Sequence, residues 1–157
     1  MKNPRRPSAA TAKTASRSNR QPQKTKPKSN MADPSIDIQC QITLPNSNSN
    51  VFVQLSESAP ERVFYRINLR DPAENVTHVV PPHVYDLPVL HDLGRSANAL
   101  RGYRMICVGT VGLVVTGSWN LGCQTFVDGN LVKTCGPGTI DGEQGGMYMF
   151  RFICTFV

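Results

Sequence analysis

Lys2, Arg5, Arg6, Lys13, Arg17, Arg20, Lys24, Lys26 and Lys28 stand in the first thirty residues, with no Asp or Glu among them. Side chains of this kind, on a flexible segment, do one job well: they neutralise a polyanion. Each phosphate paired with a cation releases condensed counterions, so binding is tight at low salt and falls steeply as salt rises. The stretch has no aromatic ring on which a base stacks, so it carries little sequence preference. A localisation signal concentrates its charge in a few residues, whereas these nine are spread over the whole segment. Residues 31–157 hold the other eight Lys and Arg against all eleven acids. An arm of +9 thus precedes a unit of −3, and the pI near 9.3 belongs mainly to the arm.

Arg62, Arg66 and Arg70 form a second basic set. Four residues apart on a strand, they share one face, with Phe64 between the first two. Alternate residues on such a face lie roughly 6.6–6.8 Å apart, on the scale of phosphate spacing along a single strand, so successive arginines stand about two such spacings apart. They either extend the polyanion surface, pair with acids across a subunit contact, or face solvent.

Little else points to catalysis, and no enzyme activity, metal or cofactor is expected. His78, His83 and His91 sit among prolines and form no H-E-x-x-H or H-x-H pair. A meeting of Cys107 with His91 would require the fold to bring them together. Gly117-Ser118-Trp119 lacks the second glycine of a nucleophile elbow. Gly136-Pro137-Gly138 has no third glycine in register for a dinucleotide fingerprint. Asp86 and Asp92 read as loop acids, with cation bridging between subunits as the alternative. Five cysteines (Cys40, Cys107, Cys123, Cys135, Cys154) without tight spacing read as buried free thiols, with Cys123 and Cys135 able to approach across a hairpin.

The elements that must position these groups are strands. Residues 1–33 contain Lys, Arg, Ser, Ala, Thr, Asn, Gln and Pro but almost no large apolar residue, and they are expected to form a disordered basic arm. That composition also argues against a secretory signal and an amphipathic presequence. Residues 34–157 are the folded domain. Ile36, Ile38, Cys40, Ile42 and Leu44 alternate with polar residues, and the pattern restarts at Val51 and again at Val63. Residues 76–93 read as short strands or a long connection, and 93–100 as a helical turn ended near Gly102. Tyr103–Thr116 is apolar on both faces, as suits a central strand bent or bulged at Gly109 or Gly112. Asp128-Gly129 supplies the positive φ angles of a hairpin turn. Gly136–Gly138 and Asp141–Gly146 read as loops, and Met147–Val157 as a last strand. Seven or eight strands with almost no helix indicate an all-β sandwich or barrel. No apolar run is long enough to span a membrane as a helix.

An acid-free Lys/Arg arm followed by a compact all-β domain resembles the coat proteins of small icosahedral positive-strand RNA viruses, the satellite viruses being nearest in scale. The resemblance lies in layout over the whole chain and includes no diagnostic motif. It implies a single jelly-roll sandwich of about eight antiparallel strands that self-associates into a closed shell around single-stranded RNA. Location in the virion and the cytoplasm of an infected host follows from it. A shell of about 60 copies would turn roughly 540 arm charges inward, enough to offset a polyanion of that order. The doubly apolar strands agree with self-association, since exposed apolar faces usually mark interfaces. A cellular nucleic-acid-binding β-barrel with a basic tail is the alternative, and an organellar protein with a removable leader is a third reading.

Overall fold

Alternation of apolar and polar side chains fixes nine strands in a computed structural model that describes residues 36–57, 62–113 and 115–157. They are β1 (Ile36–Ile42), β2 (Asn50–Glu57), β3 (Arg62–Arg70), β4 (Val76–Asp86), β5 (Leu90–Ser96), β6 (Arg104–Gly112), β7 (Gly117–Val127), β8 (Asn130–Gly142) and β9 (Met147–Phe156). One helical turn, α1 (Ala97–Leu100), follows β5 and is capped by the Ser96 hydroxyl, which accepts from the Ala99 N–H at 3.3 Å. The described residues belong to the unit Met31–Val157; the expected border at residue 33 lies outside them.

The strands form two sheets, a five-stranded one in the order β1-β9-β6-β3-β4 and a four-stranded one in the order β5-β2-β7-β8. The core lies between them. Val63, Tyr65, Ile67 and Leu69 of β3 and Phe150, Phe152, Cys154 and Phe156 of β9 point inward and are buried. Val51, Val53 and Leu55 of β2 meet them from the other sheet. β2 pairs with β7, and β3 with β6, so these consecutive strands lie in opposite sheets and pair with strands well beyond their chain neighbours.

Several expectations are corrected. The described residues form nine strands, where seven or eight were expected, and the sheets are not wholly antiparallel, because β1 runs parallel to β9 from Ile36↔Phe150 to Ile42↔Phe156. The long connection between these strands permits the parallel pairing, and β1 covers an edge that β9 would otherwise expose. The ladder continues past the strand ends: the Val157 N–H donates to Ile42 O at 2.9 Å, and Leu44 N–H to Val157 O at 2.8 Å. β4 continues through Pro81-Pro82 with a register shift there, which an edge strand tolerates because its outer N–H groups need no partner. Gly136–Gly138 is not a loop but a bulge in edge strand β8, where the register steps from Cys123↔Cys135 to Leu121↔Gly138. β6 ends at Gly112 and carries no bulge on either side. Gly109 is there for space: a Cβ would lie 2.6 Å from the Phe150 ring and 2.2 Å from Phe64 O. The Asp128-Gly129 turn is as expected, with φ of 53° and 73°. The thiols are not all free, for Cys40 and Cys135 form a disulfide between β1 and β8, while Cys107, Cys123 and Cys154 are free and buried.

Candidate nucleic-acid interface

β3 presents Phe64, Arg66, Asn68 and Arg70 on the outer face of the five-stranded sheet, because its odd-numbered residues fill the core. Register then decides their neighbours. Arg66 stands beside Val108 of β6, which stands beside Arg151 of β9, which stands beside Asp37 of β1. Phe64 begins the next row with Thr110 and Met149. On the other side the β3–β4 ladder skips from Tyr65↔His83 to Ile67↔Val80, so Arg66 faces the proline bulge. Phe64, Arg66, Pro82, Val108, Thr110 and Met149 line a shallow groove of about 290 Å³.

Ion pairing separates the three expected arginines. Glu74, just beyond β3, accepts from Arg70 at 3.2 Å and also binds Arg104, so one carboxylate serves two guanidinium groups. Arg151 grips both carboxylate oxygens of Asp37. That hydrogen bond holds the Asp37 carboxyl below its ordinary 3.8 and raises Arg151. Arg66 has no carboxylate partner among the described residues. Arg62 opens β3 opposite Asp86; its side chain lies outside what is described, as do all nine arm cations from Lys2 to Lys28. Of the two described arginines of the expected stripe, Arg66 is thus the unpaired guanidinium, and it stands beside a ring, Phe64, that is 45% exposed. A guanidinium binds phosphate, and an exposed ring offers a base a stacking surface.

The same face is apolar at its centre. Ile106 and Ile153 are adjacent and half-buried, Val108 and Met149 on the same face are half-buried too, and Val84 beside Phe64 is exposed. An apolar centre rimmed by Arg66, Arg70, Arg104 and Arg151 has the anatomy of a protein contact. Arg104 and Arg151 were not singled out from the sequence. Their outward phase is readable from the buried Met105, Cys107, Phe150 and Phe152 around them, but their nearness to β3 depends on the strand order.

The remaining candidates take structural roles. His91 Nε2 lies 2.6 Å from the Tyr65 hydroxyl, so its hydrogen-bond partner is Tyr65, not Cys107. His78 Nδ1 is 2.8 Å from Asn68 Oδ1, and the His83 ring meets Tyr85 edge-on. Asp92 accepts from Asn50 Nδ2 at 2.9 Å and from the Gly94 N–H at 2.7 Å, which occupies it within its own strand pair. No helix among the described residues is long and apolar enough to cross a membrane. No family model, curated protein or solved structure matches the chain.

Proposed function

We propose that this protein is the coat subunit of a small icosahedral RNA virus, of satellite-virus scale, whose basic arm packages single-stranded RNA inside a self-assembled shell. One observation carries the reading: nine cations and no acid in residues 1–30, followed by a unit in which eleven acids outnumber eight cations. Segregation of this degree puts the polyanion on the arm and leaves the sandwich free to make protein contacts. The two-sheet all-β architecture and its nested β2·β7 and β3·β6 pairing support a jelly-roll shell domain, a fold built from Greek keys. The apolar, arginine-rimmed face of the five-stranded sheet supports a subunit contact. The protein then belongs in the virion and in the cytoplasm of the infected host, with about 60 copies closing the smallest shell.

Deleting residues 1–30 tests the role of the arm. The truncated protein is expected to keep its sandwich, by circular dichroism, while losing the RNA that copurifies with the full chain. The full chain's affinity for single-stranded RNA should fall with a log–log salt slope of about −6 if all nine cations meet phosphates. Equal RNA retention by the truncated form would remove the arm from the account.

The groove beside Phe64 and Arg66 favours a second reading, a cellular nucleic-acid-binding β-module with a basic tail. That reading predicts a monomer whose RNA affinity collapses on Arg66→Ala, whereas the coat reading predicts little change because arm charges act collectively.

A further inference from the structure

All five cysteines come from different strands, and four of them converge between the two sheets. Cys40 of β1 stands beside Cys154 of β9 in the five-stranded sheet, and Cys123 of β7 stands beside Cys135 of β8 in the other. Cys154 Sγ lies 3.7 Å from Cys40 Sγ and 3.6 Å from Cys135 Sγ. The sulfurs of Cys40, Cys135 and Cys154 all lie within 4.8 Å of one another. Cys123, buried and directly opposite Cys135 in the β7–β8 ladder, brings a fourth thiol to the same face. A disulfide between Cys40 and Cys135 needs none of the other sulfurs, so the convergence of two more calls for its own explanation.

We propose that the reduced protein binds one zinc ion between its sheets, on the thiolates of Cys40, Cys135 and Cys154 with Cys123 as the fourth donor. Zinc–sulfur bonds of about 2.3 Å in a tetrahedron place neighbouring sulfurs about 3.8 Å apart. The two Cys154 separations already have that length. An all-sulfur donor set with no carboxylate or imidazole selects a soft, tetrahedral cation. The spacing suits a single ion rather than an iron–sulfur cluster, whose ligand sulfurs must stand further apart.

The fold supplies the rest of what a structural site needs. Cys135 and Cys154 are buried, while Cys40, on an edge strand, is half-buried and gives the ion a way in. β1 approaches β8 closely enough that a Cβ on Gly138 would lie 2.6 Å from the Ile36 side chain. That contact holds the two sulfur-bearing edges together. Metal and disulfide are alternative staples across the same gap. A thiol reductant such as glutathione supplies two electrons and two protons, opening the Cys40–Cys135 bond to two thiols. Zinc then displaces one proton from each thiol that becomes a ligand, and the protons leave to solvent.

The test uses the full chain, reduced with a phosphine, supplied with zinc and dialysed against metal-free buffer. One zinc per chain by elemental analysis is expected. Replacement by Co²⁺ should give the sulfur-to-metal charge-transfer absorption of a tetrahedral thiolate site. Cys154→Ser and Cys40→Ser should each lower retained metal at least tenfold, and Cys107→Ala should leave it unchanged. Loss of zinc from the wild-type chain, absence of the charge-transfer band, or an equal loss in Cys107→Ala would overturn the proposal. Should a serine variant unfold, the wild-type stoichiometry and the cobalt spectrum still decide it.

Discussion

Tyr65 is a large polar residue at the centre of an apolar core, and its hydroxyl is satisfied by one contact, with His91 Nε2 at 2.6 Å. Tyr85 and His91 close around it as packed rings 4.5 and 5.6 Å away. Burial lowers the pKa of His91 from 6.5, so the fold favours the neutral imidazole. The unfolded chain therefore binds the extra proton first. The contribution of His91 is fully present above about pH 6.5 and is lost as pH falls below that toward the lowered folded value. Urea midpoints taken from pH 7.5 to 5 should decline in the wild type and decline less in His91→Gln. Parallel curves would show that His91 does not titrate against the fold. Gly109 gives a sharper steric case. Gly109→Ala should cost about 1–3 kcal/mol or more, read from the same melts, because the new methyl meets backbone and aromatic ring together. A glycine in an apolar run is readable as special, but its reason is not. Bulge and close packing look alike in sequence, and only the uninterrupted ladders on both sides of β6 separate them.

Period-two alternation made most strands legible as elements, β3 most clearly: its buried odd positions and outward even positions are those expected from the sequence. Elements broken by proline or glycine were harder. β4 crosses Pro81-Pro82 and β8 crosses Gly136–Gly138, and both are edge strands, where a missing or misaligned N–H costs little. Which strands are edges is a property of the sheet, so those residues read locally as turns. The candidate interface was legible in the same partial way. The outward phase of Arg66 and Phe64 was present in β3 alone, whereas Glu74 between Arg70 and Arg104 depends on strand order. The doubly apolar β6 also reads correctly as central, and its outward Ile106 and Val108 leave the five-stranded sheet with an apolar outer centre. If that face is the proposed subunit contact, Val108→Glu should leave the melting curve nearly unchanged and abolish assembly by sedimentation velocity. Normal particles from that variant would move the contact elsewhere on the sandwich.

At the scale of the whole molecule, excess positive charge and apolar alternation fall in separate stretches of the sequence. The arm holds nine cations, and the sandwich pairs most of the arginines on its five-stranded sheet with its own acids. That division was readable from composition alone, because it needs no knowledge of strand order. The cysteine convergence was readable only in part: the approach of Cys123 and Cys135 across a hairpin was, but Cys40 and Cys154 are far from Cys135 in the chain and only the sandwich brings these three together. The proposed coat function rests on the division of charge, and it makes assembly and RNA inseparable in the native particle. The most direct measurement is electron microscopy of the full chain purified at moderate salt, with the 260/280 nm absorbance ratio of the same fraction. Uniform closed particles with a nucleic-acid ratio are the predicted result. A monomer or small oligomer free of nucleic acid, still unassembled when RNA is returned at low salt, would contradict it.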